Sequence, residues 1–452
     1  MPELTSEVAL CLKRSKPMIV LPARQSVVDG DGTYFLCNLD QNVAITMYTV
    51  CFYAASKGCK RLEHPGVVLR KALKETLVHF YPLAGKLAIS QEGKLHVVCN
   101  GEGARFVEAE FDASISELGE NPDYDFAFIR QLVCANPPKV ISPLDIPLLM
   151  IQVTRFNCGG FSIGISMNHC MADGLSASQF LISWGEIARG LPLSVPPALD
   201  RTMLKARDPP QIEFDHLEFA EIDHISFNSE DLHCQLHNRH DIAFSSFCFD
   251  SQALRSLKQQ ILKEGELNRC STFEALSGFI WRARTQALGM ASTQKTKLLF
   301  AVDGRSRFQP PLPKGFHGNG IVLTCAVASA GELVSNKLSY AVGLVQEAIT
   351  MVTDAYMRSA IDYYEKTRAR PTLNSTVVIT SWCRLPFRKA DFGWGEAVEC
   401  IPAGAPQPEV IFFLQHGKDG NGIKVLLGLP TFALTTIHDL IQQLHSDRCN
   451  AD

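Results

Sequence analysis

The sequence predicts a protein of two α/β domains. Short β-branched runs, such as residues 95–99 and 151–168, alternate with stretches whose apolar residues recur at helical spacing, such as residues 67–80. The chain has 452 residues, which is enough for two large domains or about three average ones. A proline-rich and then acidic stretch at residues 191–240 interrupts the regular pattern. We therefore expect two domains joined by a crossover loop.

The individual elements follow from local patterns. Residues 42–49 alternate like a strand, and Pro65 precedes the helical stretch 67–80. A strand ending near residue 168 is followed by an amphipathic helix that begins after Asp173 and ends before Gly190. Beyond the interruption, residues 242–249 predict a strand, and residues 251–262 and 272–288 predict helices. Residues 409–415 and 423–429 are strand-like and flank a glycine-rich turn, which indicates a hairpin.

Composition narrows the functional classes. With 43 basic and 47 acidic side chains, the formal charge is −4, which argues against nucleic acid or anionic membrane as the main partner. The 15 cysteines are scattered without a CxxC pair, so we expect buried or free thiols in a reducing compartment. Neither a signal peptide nor an apolar stretch of about 20 residues is apparent, and we expect a cytoplasmic protein without a membrane span.

The first motif that could carry chemistry is His169-Cys170-Met171-Ala172-Asp173-Gly174, located where the predicted strand gives way to a helix. A histidine at a strand end is well placed to face a cleft and exchange a proton. Alternatively, His169 is a hydrogen-bonded core residue and Asp173 is the N-cap of the next helix. HxxxD alone is a weak signal, because His237 and Asp241 form a second match that lacks the following glycine.

A second motif is Asp391-Phe392-Gly393-Trp394-Gly395, which on its own reads as a tight turn with an aromatic plug. Together and in this order, the two motifs resemble the plant BAHD acyl-CoA-dependent acyltransferases, which carry HxxxDG near the middle and DFGWG near the C-terminus. The resemblance extends over nearly the whole chain, at residues 81–87, 303–307, 310–313, 318–320 and 380–382. Residues 38–42, 167–171, 295–305 and 358–363 are most similar to the subgroup that esterifies ω-hydroxy fatty acids and fatty alcohols. The chain departs from the expected pattern at Ala172, at Cys383 and at Glu396-Ala397.

The resemblance implies two domains similar to chloramphenicol acetyltransferase, each a mixed β-sheet flanked by helices, with the active site at their interface. We expect an N-terminal domain at residues 1–190 that contains His169 and takes in an exchanged segment at about 408–430. Residues 191–240 would form the crossover loop, and residues 241–452 a C-terminal domain that contains DFGWG.

The resemblance also implies an acyl-CoA-dependent O-acyltransferase. The donor would be a feruloyl, caffeoyl or coumaroyl thioester, and the acceptor an ω-hydroxy fatty acid or long-chain alcohol of the kind found in suberin and cutin. Phenolic, polyol, shikimate-like and amine acceptors remain open. A thioesterase and a catalytically silent acyl-CoA-binding protein are the alternatives from other classes. A thioester is already activated, so no metal or other cofactor is expected. Relatives of this kind are usually monomeric.

Roles for individual residues follow from the resemblance and the chemistry. His169 would be the general base, and the indole of Trp382 or the hydroxyl of Thr380 would face the oxyanion of the tetrahedral intermediate. Asp173 would turn away from His169 and pair with Arg305. Together with Gly174, which follows Asp173 in the sequence, these two residues would have a structural role at the active site. The DFGWG residues Asp391, Gly393, Trp394 and Gly395 would shape the acyl-CoA channel.

Substrate contacts are predicted at two further groups of residues. For the coenzyme these are Ser271 and Thr272 at the head of a predicted helix, together with Asp303 and Lys297. Each of these could equally be an ordinary N-cap or a solvated charge. For the acceptor pocket they are Asn38, Asp40, Ala172, Arg368 and Arg370. If Arg368 or Arg370 reached the site, a carboxylate-bearing acceptor would be favoured, because arginine pairs carboxylates in a bidentate manner.

Overall fold

The computed structural model describes residues 12–25, 31–55, 64–115, 126–134, 136, 142–222, 242–404, 407–417 and 420–446. Contacts divide the chain into two compact units. The first unit comprises Met1–Lys205, Pro313–Asn319 and Leu385–Gly404, and the second comprises Ala206–Leu312, Gly320–Arg384 and Ala405–Asp452. The second HxxxD match, at His237 and Asp241, lies outside the described residues.

Strands and helices are interleaved along the chain. The first half contains β1 (Leu12–Arg14), β2 (Met18–Val20), β3 (Thr33–Phe35), α1 (Asn38–Gln41), β4 (Thr46–Tyr53), α2 (Pro65–His79), β5 (Lys86–Ile89), β6 (Leu95–Val98), β7 (Ala104–Phe111), α3 (Phe126–Ile129), β8 (Leu149–Phe156), β9 (Phe161–Asn168) and α4 (Gly174–Ala188). The second half contains β10 (Ile242–Phe249), α5 (Ser251–Lys263), α6 (Thr272–Ala287), β11 (Lys295–Asp303), β12 (Ile321–Ser329), α7 (Ala330–Ser335), α8 (Leu338–Met351), α9 (Asp354–Thr367), β13 (Thr376–Ser381), β14 (Glu399–Pro402), β15 (Val410–His416), β16 (Gly422–Pro430) and α10 (Thr431–Ser446).

Each unit is built on a mixed sheet, as predicted. In the first unit the strand order is β1-β7-β8-β9-β4-β14, with β2 also paired to β7, and the β7–β8 pair is parallel. A smaller sheet of order β3-β6-β5 belongs to the same unit. In the second unit the order is β10-β16-β15-β13-β11-β12, with β13 parallel to both its neighbours. The predicted α/β class with two sheet-based domains is confirmed.

Strand β9 and helix α4 form the centre of the first unit. All eight residues of β9 are buried, because the strand lies between β8 and β4 and its small residues occupy the face opposite Phe161 and Ile163. Gly164 is needed on that face, since a Cβ there would collide with the carbonyl oxygen of Leu132. Helix α4 follows after a short turn and buries Phe180 and Trp184. The strand-turn-helix order predicted from hydrophobic periodicity is therefore observed.

The expected exchange of segments is wrong in its position. The hairpin of β15 and β16 is observed, but β16 pairs with β10, which places residues 410–430 in the second unit. The segment Leu385–Gly404 belongs to the first unit instead, where β14 pairs antiparallel with β4. DFGWG therefore lies in the first unit, although it was expected in the C-terminal domain. The expected boundary at residue 190 also moves, since the first unit continues to Lys205.

The cysteines also differ from expectation at one pair. Cys51 on β4 and Cys400 on β14 lie directly opposite each other with their Cα atoms 4.1 Å apart, and they form a disulfide. The other cysteines of the described residues are free thiols. Sequence spacing could not reveal this pair, because the two cysteines are separated by 349 residues.

Helix α4 also provides the surface on which the DFGWG segment packs. Gly185 lies against the backbone of Asp391, and a Cβ at this glycine would collide with the Asp391 carbonyl oxygen. The ring of Phe392 makes edge contacts with Trp184 at 5.0 Å and with Tyr53 at 5.7 Å. The absence of a side chain at Gly185 thus permits the close approach of this distant segment.

We predict that Gly185→Ala destabilises the protein by about 1–3 kcal/mol, because backbone rather than a mobile side chain must shift to admit the methyl group. The free energy of unfolding from urea titration measures this effect. The matched control is Gly343→Ala in α8, where a new Cβ would find its nearest neighbour, Leu267, at 3.9 Å. That change should be neutral or stabilise by up to about 1 kcal/mol. Equal effects of the two substitutions would contradict the packing described.

Candidate active site

The turn between β9 and α4 presents one side chain to solvent. Of residues 161–173, only His169 is not fully buried. The turn is closed by Asn168, whose backbone carbonyl accepts from the N–H of Met171 at 3.0 Å and whose side-chain oxygen accepts from Cys170 at 3.1 Å. The N–H of His169 donates to the carbonyl of Ile45 at 2.7 Å. The imidazole is thus held at a strand end by a rigid backbone.

Asp173 is the N-cap of α4. Its Oδ1 accepts from the N–H of Ser176 at 2.9 Å, and the residue is only 1% exposed. Within the described part of the chain, the ring of His169 bonds to Asn319 and not to Asp173. Asp173 is therefore not the residue that orients the imidazole. Its pairing with Arg305, inferred from the resemblance, stays a prediction.

The amide of Asn319 is the group that contacts the imidazole. Its Oδ1 lies 3.1 Å from His169 Nδ1, and its Nδ2 donates to the carbonyl of His169 at 2.8 Å and to Asp40 Oδ1 at 2.9 Å. Both Nδ2 partners are acceptors, one a backbone carbonyl and the other a carboxylate paired with Arg201, so the amide must turn its oxygen toward the ring. His169 Nδ1 then donates to Asn319 Oδ1.

This hydrogen bond selects the tautomer of the histidine. A neutral imidazole carries one proton, and if that proton is on Nδ1, the Nε2 atom has a free lone pair. The lone pair can accept a proton from a bound nucleophile. The arrangement is that of a general base whose ring orientation is set by an amide instead of a carboxylate.

Arg201 is a further buried residue of this network. Its side chain is fully buried, and Nη1 contacts Asp40 Oδ2 at 2.9 Å. Nη1 and Nη2 donate to the carbonyls of Cys170 and Met171 at 3.0 and 2.6 Å. Burial by itself lowers the pKa of the Arg201 guanidinium. The neighbouring Asp40 carboxylate outweighs this effect, and the pKa of Arg201 is raised above its usual value. Arg201 therefore remains a cation and holds the carbonyl groups of the two residues that follow His169.

Cys170, next to His169, is not available as a nucleophile. It is fully buried, and burial raises the pKa of its thiol far above the usual value. His169 is therefore the side chain of this turn that could exchange a proton with a bound molecule. Gly174 has a packing role, because a Cβ at this position would collide with Leu385.

DFGWG forms a closed loop in the first unit. Asp391 Oδ1 accepts from the N–H groups of Gly393 and Gly395 at 2.7 and 2.9 Å, and Oδ2 pairs with Arg189 at 3.2 Å. Both glycines have φ near +100°, a conformation that other residues rarely adopt. Trp394 contacts Phe161 edge-on at 5.2 Å. The motif is thus a self-bonded turn with an aromatic plug, and its expected part in an acyl-CoA channel stays a prediction.

Three of the five residues expected in an acceptor pocket are buried. Asn38, Asp40 and Ala172 are 3%, 0% and 4% exposed. The carboxylate of Asp40 is fully occupied by Arg201 and Asn319, so it cannot also bind an acceptor. The expectation for Asp40 is wrong, because the sequence did not reveal the distant groups that engage its carboxylate. Contacts of Asn38 and Ala172 with an acceptor stay predictions.

Arg368 and Arg370 lie in the second unit and are exposed. Arg368 ends α9 in a left-handed conformation, with its guanidinium over the ring of Tyr364 at 5.8 Å. Their contact with an acceptor stays a prediction. The same holds for the oxyanion roles of Thr380, on β13, and of Trp382, whose indole contacts Phe412 edge-on at 5.6 Å.

Among the residues expected to bind coenzyme, Lys297 is excluded. It is completely buried, and its ammonium donates to the carbonyls of Leu217, Glu218 and Ala220 at 2.8–3.5 Å. An ammonium in this position anchors residues 217–220 to β11 and cannot contact a phosphate. The prediction for Lys297 was wrong because a lysine in a strand resembles a surface charge.

The other coenzyme contacts remain predictions. Ser271 forms a capping box with Glu274, so an acidic side chain already lies at the N-terminus of α6 and opposes an anion at Ser271 or Thr272. Asp303 is exposed and pairs with Arg305 at 3.0 Å.

Within the described residues, no cluster of histidine, cysteine or acidic side chains could hold a metal ion. No helix among them is long and apolar enough to cross a membrane.

Comparison with known proteins places the chain in a family. The profile of the Transferase family matches residues 12–444. The chain belongs to the BAHD acyltransferases. The protein is therefore an enzyme that transfers acyl groups, and the HxxxDG and DFGWG motifs have the family context that the sequence suggested.

Two members of the family with similar sequences come from Arabidopsis thaliana. Omega-hydroxypalmitate O-feruloyl transferase is 49% identical over 444 residues, which cover 97% of this chain and 94% of that protein. Fatty alcohol:caffeoyl-CoA acyltransferase is 47% identical and covers 96% and 98% of the two chains. The crystal structure of vinorine synthase has the same fold, with a TM-score of 0.74 at 22% identity, covering 94% of this chain and 96% of that one.

Two residues of this site are not evident from the sequence. Asn319 lies in a segment that supports the family resemblance but does not suggest a contact with His169. No sequence pattern singles out Arg201. The available signals are the asparagine between Gly318 and Gly320, and an arginine that follows several prolines. Their partners are between 30 and 279 residues away, which no local pattern reveals.

We predict that Asn319→Ala lowers kcat about 10- to 100-fold, because the imidazole loses the acceptor that holds its proton on Nδ1. This loss is a part of the rate acceleration of about 10²- to 10⁴-fold that general base catalysis contributes. Steady-state acyl transfer measures the loss, and thermal melting reports whether the variant is folded. As a control, Asn336→Ala changes an exposed asparagine whose amide bonds to the carbonyl of Glu332 in the second unit. Unchanged kcat in a folded Asn319→Ala variant would show that the amide does not orient the base.

Proposed function

We propose that the protein is an acyl-CoA-dependent hydroxycinnamoyltransferase that esterifies an ω-hydroxy fatty acid or a long-chain alcohol. The observation that carries the proposal is the half-buried His169, whose Nδ1 is paired to Asn319 in an acyltransferase family. The relatives at 49% and 47% identity are named for feruloyl and caffeoyl donors and for hydroxypalmitate and fatty alcohol acceptors. Their coverage of more than 90% of both chains supports transfer of this substrate class.

In the proposed reaction, Nε2 of His169 takes the proton of the acceptor hydroxyl as its oxygen attacks the thioester carbonyl. The carbonyl oxygen becomes the oxyanion of a tetrahedral intermediate. When the intermediate collapses, the carbon–sulfur bond breaks, and the imidazolium gives its proton to the leaving thiolate. The products are the ester and free coenzyme A, and the histidine returns to its neutral form.

The oxyanion requires a donor, and we assign this role to Thr380 or Trp382. A donor of this kind contributes about 3 kcal/mol in other acyl-transfer enzymes. Ser271, Thr272 and Asp303 remain our candidates for contacts to the coenzyme, and Asp391, Gly393, Trp394 and Gly395 for the shape of its channel. We further expect a cytoplasmic monomer.

Other observations would change the assignment of the acceptor or of the protein's class. If Arg368 or Arg370 bound a carboxylate, a shikimate-like acceptor or the acid end of an ω-hydroxy acid would be favoured. Phenolic, polyol and amine acceptors would use the same base and donor. Release of coenzyme A without an acceptor would indicate a thioesterase, and binding without release would indicate a silent acyl-CoA-binding protein.

The deciding experiment measures thiol release from feruloyl-, caffeoyl-, p-coumaroyl- and acetyl-CoA. Each donor is tested with ω-hydroxy fatty acids, long-chain alcohols, glycerol, shikimate and an aliphatic amine. We expect release that depends on the long-chain acceptors, with the ester identified by mass. His169→Ala should lower kcat by about 10²–10⁴, because general base catalysis is lost.

His438→Ala is the matched control, because this histidine is exposed on α10 in the second unit. It should leave kcat and KM unchanged. Acceptor-independent release, or esters formed only from short or phenolic acceptors, would contradict the proposal. Residual activity of His169→Ala equal to that of His438→Ala would remove His169 from the mechanism.

We also predict that the reaction needs no metal ion, because the thioester is already activated and the proposed base is an imidazole. Exhaustive dialysis against EDTA should leave kcat unchanged. A loss of activity that added Mg²⁺ or Zn²⁺ restores would contradict this prediction.

A further inference from the structure

A buried ion pair lies directly behind the amide that contacts His169. Asp40 and Arg201 are both completely buried, and their charged groups are 2.9 Å apart. Asp40 Oδ2 also accepts from the N–H of Cys37 at 2.8 Å. Asp40 Oδ1 accepts from the backbone N–H and the Nδ2 of Asn319 at 3.2 and 2.9 Å. Both oxygens of the carboxylate are thus engaged by donors.

Arg201 connects this carboxylate to the turn that carries the base. Besides Asp40, it bonds to the carbonyls of Cys170 and Met171, and its Nε donates to the carbonyl of His317 at 3.2 Å. It also stacks 5.0 Å above the ring of Tyr34. A buried ion pair often gives no more stability than apolar residues of the same volume. Its position therefore points to a different role.

The geometry explains what a carboxylate does here that a neutral group would not. The two ends of an asparagine amide have nearly the same shape, so packing alone does not decide which end faces His169. An ionised carboxylate can only accept hydrogen bonds, so Asp40 adds a charged acceptor to the carbonyl of His169 and draws Nδ2 of Asn319 to the same side. If the amide were reversed, its N–H group would face Nδ1 of the ring. The proton of the neutral imidazole would then lie on Nε2, and no lone pair would face the substrate.

We propose that Asp40, held in place by Arg201, is a positioning residue that fixes the amide orientation of Asn319 and thereby the tautomer of His169. The proposal rests on the proposed role of His169 as the base. Neither Asp40 nor Arg201 touches the reacting groups, so both act through Asn319 and through the backbone of the turn.

The test is Asp40→Asn, which keeps the shape of the side chain but allows an N–H group to face Asn319. We expect kcat to fall about 10- to 100-fold, a part of the total effect of a general base, while KM for acyl-CoA changes less than about twofold. The tautomer is read directly, without substrate, from two-bond ¹H–¹⁵N spectra of histidine-labelled protein. The signals of His169 are assigned by their loss in His169→Gln.

The matched control is Asp362→Asn in the second unit. Asp362 is also buried, and it accepts from Arg207 Nε at 2.6 Å and from the N–H groups of Arg207 and Gln211. This substitution likewise removes the charge opposite an arginine, but among the described residues of its unit Asp362 contacts no proposed catalytic group. We expect it to lower the melting temperature without changing kcat or the tautomer of His169.

A second variant tests rescue. In Asp40→Asn with Asn319→Asp, the carboxylate stands at position 319 and accepts the Nδ1–H of His169 while the amide at position 40 supplies the N–H. We expect kcat of the double variant to be about tenfold higher than that of Asp40→Asn, because the proton of neutral His169 is again held on Nδ1. If Asp40→Asn does not fold, a double variant that folds with Nδ1–H supports the proposal, because the acceptor at position 319 then compensates for the amide at position 40. Nε2–H in the folded double variant overturns it.

The outcomes separate this inference from the proposed function. A wild-type spectrum with the proton of neutral His169 on Nε2 overturns the positioning role, whatever the activity. Asp40→Asn with an unchanged tautomer and the kcat of Asp362→Asn also overturns it. A wild-type protein with Nδ1–H but no acyl transfer contradicts the proposed function and leaves the positioning role intact.

Discussion

The chemistry of the first unit depends on one amide. Asn319 forms hydrogen bonds with the ring and the carbonyl of His169 and with Asp40, and these bonds set the direction in which the imidazole can take up a proton. The strand β9, the cap at Asp173 and the cation of Arg201 hold the turn in place. The proposed transfer from a thioester needs an oriented base together with an oxyanion donor, since the leaving group is already activated.

Fold and family were accessible from the sequence because they rest on local patterns. Buried apolar residues recur every second residue in β9, as at Phe161 and Ile163, and every 3.6 residues in α4, as at Phe180 and Trp184. The strand and the helix predicted from these two patterns are observed within a few residues of their expected bounds. The motif around His169 is also local. What the sequence could not reveal is pairing over long distances. The assignment of residues 385–404 to the first unit depends on strand pairing with β4, which no local signal records.

The errors in the site have the same origin. Asp40 and Lys297 are charged residues, and charge in a sequence suggests exposure or a ligand. Both are buried because distant groups satisfy them: Arg201 pairs with Asp40, and three carbonyls accept from Lys297. Conversely, Asn319 looks unremarkable in sequence and becomes important only because the fold brings it to His169. Buried polar groups need hydrogen-bonding partners, and in this protein those partners come from distant parts of the chain. This explains both why Asn319 was missed and why Asp40 and Lys297 were assigned wrong roles.

The composition of the first unit from three separate segments has a consequence for biosynthesis. A ribosome that has released residues 1–205 has supplied His169, Asp40 and Arg201, but not Asn319 or the strand that completes the sheet beside β4. More than a hundred residues of the second unit must be synthesised before residues 313–319 emerge, and the edge strand follows later still. The contact that orients His169, the proposed base, therefore forms at a late stage of folding, when most of the polypeptide is present. Nascent or truncated chains that end before Asn319 do not contain it.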